Sequence, residues 1–344
     1  MTCTIENGSV AEPVIFAKEE LQRALHLLHA PKMKIRLEAA EYETDGYTVD
    51  MNFPDGHGFI RGSNPRSVLF GVYRLMRELG FRWIRPGAAG EIVPPPPENW
   101  QYIRTWEQAS TQFRAICIEG AISRENLLDM VDWMARHNLN TYYLQAPSAY
   151  AFLKRWYSHA GNPMLKAEEL TREHADEITL ELIAALRKRG LILDALGHGP
   201  TSEILGIPFW GWDPVLHPVT EGMKPNFAQI NGVRDLWHAN PHFTQLCYGN
   251  PEIREKLAER MVEQVLDHPE AELVHFILSD HHHNFCECDL CRKQRPSDWY
   301  VAMLNRIDEK LTAIGCKIRI GFAVYCDTIW PPLVERIRNP ERFF

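Results

Sequence analysis

Beyond Phe113 the sequence alternates between short strand patterns and amphipathic helix patterns, and this alternation restricts the fold strongly. Apolar runs bounded by polar or glycine-containing segments predict strands over 113–120, 140–145, 191–199, 272–280 and 317–325. Apolar residues at helical spacing predict helices over 124–137, 174–190, 252–268 and 297–314. Such repeats favour a parallel sheet covered by helices, and the expected closure is a (β/α)8 barrel of TIM type.

This barrel is expected to be incomplete. A full TIM-type barrel has eight strands in about 250 residues. Residues 113–344 yield only five βα-type units and include a long aperiodic segment over 200–250. The sequence is therefore interpreted as the front portion of a longer protein.

Residues 1–110 show a different pattern, typical of a small α/β domain. Helices are predicted over 17–28 and 65–79, and strands over 34–39 and 46–53. Four consecutive prolines over 94–97 can continue neither a helix nor a central strand. We therefore place the domain boundary between these prolines and Phe113, which gives domains at 1–110 and 113–344.

Charge and hydropathy exclude several classes of partner. Lys and Arg number 37 against 45 Asp and Glu, so the net charge is −8 and no basic run offers a phosphate-binding surface. The sequence predicts no nucleic-acid partner. No run of 18 apolar residues is present, and the first ten residues lack the pattern of a signal peptide. A soluble, cytoplasmic protein is expected unless a leader has been removed, and the sequence does not indicate an oligomeric state.

Polar residues at the ends of the predicted strands are the candidate catalytic groups, because chemistry in TIM barrels lies at the carboxyl ends of the strands. Asp280 ends the fourth predicted strand and is the first candidate for an acid or a substrate-positioning carboxylate. His198 ends the third strand between two glycines, and Glu119 ends the first. Gln145 and Tyr325 occupy the corresponding places in the other two strands. Asp280 could instead cap a helix or form a salt bridge, and His198 could be a hydrogen-bonded rim residue.

The segment 200–250 has the composition of a sugar-binding surface. Trp210 and Trp212 lie next to Asp213, and a pyranose ring presents an apolar face to aromatic rings and hydroxyls to carboxylates. The alternative is that these tryptophans bury the loop against the barrel rim. Glu203 and Asp213 are further candidates for a second carboxylate, with solvated or capping roles as the alternative.

Two residues of the strands complete the predicted substrate-binding set. Tyr143 lies near the end of the second predicted strand. Arg114, just inside the first strand, could pair with the carboxylate of a uronic acid, and a buried structural ion pair is the alternative.

Three cysteines crowd into the motif Cys-x-Cys-x-x-Cys at Cys286, Cys288 and Cys291. With Cys247 as a fourth ligand they have the composition of a structural zinc site, although the spacing differs from that of a zinc ribbon. The three histidines at 281–283 are alternative fourth ligands. Packed free thiols and a disulfide or redox pair remain as alternatives.

Residues 59–95 resemble the end of the small non-catalytic domain that precedes the barrel in family 20 β-N-acetylhexosaminidases and family 67 α-glucuronidases. The matching residues are Gly62, Gly71, Tyr73, Leu75, Leu79, Gly80, Arg82, Trp83, Pro86, Gly87 and Glu91. This resemblance identifies the first domain with that small domain.

Three later segments, 230–237, 245–257 and 279–293, are similar to a bacterial glycoside-hydrolase-like barrel domain of unknown function. The matching residues are Gly232, Arg234, Gln245, Leu246, Cys247, Asn250, Pro251, Glu252, Asp280, Cys286, Cys288 and Cys291. The chain departs from that pattern at Asn231, where an Asp is usual, and at the three histidines after Asp280.

The resemblance implies a bacterial carbohydrate-active protein that hydrolyses O-glycosyl bonds of an oligosaccharide at the mouth of the barrel. It does not supply a substrate, since the barrel family has no assigned reaction. Two alternatives are a non-catalytic carbohydrate-binding protein and a zinc-dependent hydrolase that uses the Cys/His cluster.

Overall fold

The computed structural model describes residues 4–7, 10–209, 211–212 and 219–344. The chain divides into two compact units. The first comprises Met1–Tyr143 with Asp176–Leu193, and the second comprises Leu144–Ala175 with Asp194–Phe344. Among the described residues, no helix combines the length and the apolar character that crossing a bilayer requires. The predicted domain boundary between residues 110 and 113 stays a prediction.

Helices and strands alternate along most of the chain. The strands are β1 (Thr4–Asn7), β2 (Lys34–Ala39), β3 (Gly46–Asn52), β4 (His57–Gly62), β5 (Arg82–Trp83), β6 (Glu91–Ile92), β7 (Tyr102–Gln108), β8 (Ala115–Cys117), β9 (Thr141–Tyr143), β10 (Ile192–Ala195), β11 (Gln229–Ile230), β12 (Val233–Arg234), β13 (Leu273–Phe276) and β14 (Arg319–Phe322). The helices are α1 (Glu12–Leu27), α2 (Pro65–Glu78), α3 (Arg124–Arg136), α4 (Tyr150–Tyr157), α5 (Arg172–Arg189), α6 (Pro200–Glu203), α7 (Pro251–Asp267) and α8 (Pro296–Ala313).

The first unit contains a mixed sheet with the strand order β1-β2-β4-β3-β7. β2 pairs in parallel with β1 and β4, whereas β3 pairs antiparallel with β4 and β7. Side chains of β3 alternate between buried and half-buried, as expected for a strand with one face on a core. Helix α2 packs closely on this sheet, because a Cβ added at Gly71 would lie only 2.6 Å from Cγ2 of Ile60 on β4.

A second sheet contains five parallel strands in the order β14-β13-β10-β9-β8. All four residues of β10 are buried, as expected for a strand covered on both faces. The predicted parallel sheet of five strands is therefore confirmed. Closure of this sheet into a barrel stays a prediction.

The edge of β14 is covered by residues near Phe343. Phe343 forms a parallel bridge with Ile320, and the Phe344 N–H donates to the Ile320 carbonyl at 3.2 Å. The buried Arg342 guanidinium donates to Asp308 of α8 at 2.7 Å. The segment is thus fixed by both backbone pairing and a buried ion pair.

The four helices predicted after Phe113 are present as α3, α5, α7 and α8, and each begins and ends within about two residues of its predicted position. Helix α1 differs, since it begins at Glu12 rather than at residue 17, with Pro13 in its first turn, where proline is well tolerated. The sequence patterns did not predict β4, β7 or α4. Each predicted strand of the parallel sheet is present, but its paired part is shorter than the apolar run.

Candidate functional site

Asp280 lies in the turn after β13 and is held in place by two hydrogen bonds. Its carboxylate Oδ2 accepts from the indole N–H of Trp212 at 2.8 Å. Its backbone N–H donates to the carbonyl of His242 at 3.1 Å. The side chain is half-buried, so the carboxylate is oriented by the protein and still reaches solvent. The structure therefore fixes this predicted acid at the carboxyl end of a parallel strand.

Aromatic rings surround the Trp212 side chain. Its ring centroid lies 5.3 Å from those of Phe152 and His198, and 5.4 Å from that of Phe209. His242 meets Phe209 edge-on at 4.8 Å. Such edge-to-face contacts favour one ring orientation. The half-buried Trp212 thus presents its N–H to Asp280 from a fixed position.

His198 follows β10 in the sequence Gly-His-Gly, as the strand-end rule predicted. Gly197 and Gly199 have φ angles of 141° and 120°, a region that side chains rarely adopt, so both positions favour glycine. The backbone N–H of His198 donates to the Gln145 carbonyl at 3.0 Å. Its ring stacks on Phe209 at 5.8 Å. The structure brings His198, Trp212 and Asp280 into one cluster.

The turn after β14 carries two polar residues of the candidate site. Tyr325 was predicted from the sequence, and Asp327 was not. A hydrogen bond with Cys326 raises the pKa of Tyr325, and burial and the charge of Asp280 act in the same direction. Asp327 accepts a hydrogen bond from the backbone N–H of His283 at 2.7 Å. The signal for Asp327 was present, because it is an acidic residue just beyond a predicted strand.

Glu203, a predicted substrate contact, is engaged by helix α7. Its Oε2 atom accepts from Nε of Arg260 and from the side-chain amide of Gln264, each at 2.7 Å. The carboxylate is largely buried. These contacts give Glu203 a structural role, since they attach the start of the long loop to helix α7.

Three predicted site residues belong to the first unit. Glu119 lies in an exposed turn after β8, and Tyr143 is a half-buried residue at the end of β9. Arg114 donates to the buried carboxylate of Asp45. Two further predicted residues, Trp210 and Asp213, lie outside the described residues.

A buried aspartate on β10 pairs with a half-buried histidine on β13, and the sequence analysis did not single out this pair. Nδ1 of His275 donates to Oδ1 of Asp194 at 2.9 Å. Burial raises the pKa of Asp194, while the hydrogen bond from His275 opposes that shift. The His275 ring occupies the place of a side chain at Gly321, where an added Cβ would lie 2.3 Å from its Nε2 atom.

The four predicted metal-ligating cysteines lie together in the second unit. Within the described part of the chain, Cys247, Cys286, Cys288 and Cys291 form the group of residues suited to hold a metal ion. Their Sγ atoms all lie within 4.8 Å of one another. Hydrogen bonds with Cys247 and Cys291 hold the pKa of Cys286 far below its usual range, against the effect of burial. The sequence motif and one distant cysteine thus meet in a single cluster.

Several solved structures with a similar fold are glycoside hydrolases. A family 138 enzyme targeting pectin rhamnogalacturonan II aligns with a TM-score of 0.50 and 13% identity, over 93% of this chain and 35% of that chain. A family 89 glycoside hydrolase from Clostridium perfringens, in complex with its substrate GlcNAc-α-1,4-galactose, aligns with a TM-score of 0.53 and 11% identity, over 92% and 38%. The same family 89 enzyme in complex with PUGNAc gives a TM-score of 0.52 and 11% identity, over 96% and 41%.

These similarities establish a glycoside-hydrolase-like fold. The chain spans between 35% and 41% of the length of these structures. No protein-family model matches the chain, and no curated protein matches it.

Proposed function

We propose that the chain carries part of a carbohydrate-active enzyme of glycoside-hydrolase type, with Asp280 as the proton-donating acid. The observation that carries this proposal is the Asp280 carboxylate after β13, oriented by the Trp212 N–H at 2.8 Å. The fold likeness to glycoside hydrolases supports the same reaction class, although fold alone does not establish function.

Hydrolysis of an O-glycosyl bond needs an acid that protonates the leaving oxygen and a second group that stabilises or attacks the sugar carbon. Trp212 engages Oδ2 of Asp280, and Oδ1 is the atom that we assign to the leaving oxygen. Asp327 is our added candidate for the second group, since it follows the strand next to β13. Glu119, which lies in the first unit, and Asp213, outside the described residues, stay predictions from the sequence for that role.

Substrate contact is assigned to the rings around Asp280. An aromatic face packs on the apolar face of a pyranose, and an imidazole donates to or accepts from a hydroxyl. Trp212 supplies a ring hydrogen-bonded to the Asp280 carboxylate, and the His198 ring lies 5.3 Å from that of Trp212. An oligosaccharide or glycoside is therefore the proposed substrate, and Tyr143 stays a predicted contact.

A zinc-dependent hydrolase is the less favoured alternative. A catalytic zinc keeps one coordination position for water or substrate. Four thiols converge in the cysteine cluster and would fill a tetrahedral site. This donor set favours a structural role for any bound ion.

The first test is hydrolysis of a panel of aryl glycosides and uronic-acid oligosaccharides by the full chain. Loss of a general acid lowers kcat by about 10²–10⁴-fold, which we expect for Asp280→Asn. Trp212→Phe keeps an aromatic ring but removes the N–H donor, and should lower kcat by about 10–100-fold. Asp267→Asn, at an exposed carboxylate near the end of α7, is the matched control and should retain activity.

Two results would count against this assignment. Activity of Asp280→Asn equal to that of the wild type would exclude Asp280 as the acid. Sugar binding measured by calorimetry without turnover of any substrate would support the non-catalytic carbohydrate-binding alternative instead.

A further inference from the structure

Four cysteines converge from two segments that lie about 40 residues apart in the chain. Cys286, Cys288 and Cys291 follow β13, whereas Cys247 precedes α7. Cys247, Cys286 and Cys291 are buried, and Cys288 is half-buried. The other described cysteines lie elsewhere in the fold, so this convergence involves half of the eight cysteines of the chain.

The sulfur positions match a tetrahedral metal site. Metal–sulfur bonds of about 2.3 Å in a tetrahedron place the sulfurs about 3.8 Å apart. Sγ of Cys247 lies 3.6 Å from that of Cys288 and 3.8 Å from that of Cys291. A disulfide requires sulfurs about 2.0 Å apart, and all four cysteines are free thiols.

Backbone N–H groups point at the sulfurs. The Gln229 N–H donates to Sγ of Cys286 at 3.2 Å, and the Gly249 N–H donates to Sγ of Cys291 at 3.0 Å. A Cβ added at Gly249 would lie 2.8 Å from Cβ of Leu290 and 2.9 Å from the Cys291 nitrogen. Glycine at this position therefore permits the close approach of the two segments. Donors of this kind orient thiolate ligands in metal sites.

A positive charge lies beside the same sulfurs. The Arg234 guanidinium Nη1 is 3.9 Å from Sγ of Cys286, and its Nη2 is 3.8 Å from Sγ of Cys247. One divalent ion with four thiolates carries a net charge of −2. Arg234 would offset part of that charge in a largely buried setting.

We propose that Cys247, Cys286, Cys288 and Cys291 bind one zinc ion in a closed, structural four-thiolate site. Zinc replaces the thiol protons, which are released to solvent, and all four coordination positions are filled by sulfur. The ion ties the segment that follows Asp280 to the turn before α7. None of the histidines at 281–283 is required as a ligand.

The direct test measures metal in the purified full chain prepared under reducing conditions. Elemental analysis should find about one equivalent of zinc, and X-ray absorption at the zinc edge should find four sulfur neighbours at about 2.3 Å. Removal of zinc by a chelator should lower the Tm, and added zinc should restore it.

Cysteine variants add a matched comparison. Cys288→Ser should bring bound zinc below about a tenth of an equivalent, while Cys316→Ser, outside the cluster, should retain the full amount. X-ray absorption on the wild type decides the question if Cys288→Ser fails to fold. These readouts do not depend on hydrolytic activity.

Less than about a tenth of an equivalent of zinc in the wild type, even after addition of zinc to the reduced protein, would overturn the proposal. So would a disulfide between these cysteines, iron in place of zinc, or nitrogen and oxygen ligands in the absorption data.

Discussion

Asp45 connects several polar side chains within the first unit. Its Oδ1 atom accepts from Nε of Arg66 at 2.7 Å and from the Asn64 amide at 2.9 Å. Its Oδ2 atom accepts from the Arg114 guanidinium and from the Asn140 amide, the latter at 2.8 Å. Asp45 itself is only 4% exposed. The carboxylate is therefore a buried charge that two arginines neutralise.

Asp45→Ala should destabilise the protein strongly. Removing one partner of a buried ion pair costs about 3–5 kcal/mol, because the remaining charges stay buried. Asp50→Ala on β3 is the control, since Asp50 pairs with the exposed Arg104 and such pairs contribute about 1 kcal/mol or less. Urea unfolding followed by circular dichroism measures both losses. Equal losses for the two variants would contradict this account of Asp45.

The same carboxylate predicts a pH dependence. Burial opposes ionisation of Asp45, but the charge of Arg66 and the hydrogen bond from Arg114 lower its pKa below the usual value. A folded-state pKa below the unfolded value gives stabilisation above the unfolded pKa, and this is lost as pH falls through the folded value. The difference in unfolding free energy between wild type and Asp45→Asn should therefore shrink below about pH 4. A difference in unfolding free energy between the two proteins that stays constant from pH 7 to pH 2 would contradict this prediction.

Individual residues of the candidate site could be predicted only when they directly follow a predicted parallel strand. Asp280 and His198 follow predicted parallel strands, so the strand-end rule selected them. The hydrogen bond between Trp212 and Asp280 depends on the path of a long loop without periodicity, which local sequence does not specify. Asp194 and His275 were overlooked inside apolar runs, although polar residues there are themselves a signal of a buried pair.

At the scale of elements, helix propensity and packing have opposite effects on stability when Gly71 in α2 is replaced by alanine. Replacing a mid-helix glycine with alanine favours the helix by about 1 kcal/mol, whereas overpacking costs about 1–3 kcal/mol. The Cβ added at Gly71 would lie 2.6 Å from Cγ2 of Ile60. The two effects together give an expected net decrease in the free energy of unfolding of up to about 2 kcal/mol for Gly71→Ala, measured by urea unfolding.

A double-mutant cycle provides the control for this prediction. The same Gly71→Ala change in an Ile60→Ala background removes the close contact, so alanine should there be neutral or stabilising. An equal loss in both backgrounds would show that the Gly71–Ile60 contact is not the cause.

Apart from the start of α1, the ends of the predicted helices were predicted well because the signals for helix ends are local. Asn64 and Asn250 accept hydrogen bonds from first-turn N–H groups of α2 and α7, and each precedes a proline. Strand ends were predicted less well, because a run of apolar residues indicates burial but does not show where hydrogen bonding to the neighbouring strand ends. The run 272–280 continues past Phe276, where β13 ends, and Leu278 is still buried.

At the scale of the whole molecule, the alternation of strands and helices was sufficient to predict the parallel sheet. The mixed sheet of the first unit was only partly predictable, because its order β1-β2-β4-β3-β7 depends on pairing between distant segments. β7 in particular has side chains that alternate only between exposed and half-buried, so its apolar signal is weak.

The covered edge of β14 gives a prediction for the stability of the whole chain. Phe343 is 6% exposed and meets the ring of Phe322 at 6.2 Å. Truncating a buried phenylalanine costs about 3–5 kcal/mol, which is the expected loss for Phe343→Ala in thermal or urea unfolding. Leu333→Ala is the control, since Leu333 is 63% exposed. Comparable losses in both variants would contradict a specific role for Phe343.

The same segment also bears on aggregation. An outer strand with unpaired N–H and C=O groups is a template for the strands of other molecules. Phe343 and Phe344 pair with the backbone of Ile320 on β14, so strands of neighbouring molecules cannot pair with β14 at this residue. If Phe343 and Phe344 detach from β14, the exposed strand edge can pair with strands of other molecules. The rate of this intermolecular pairing should rise with protein concentration.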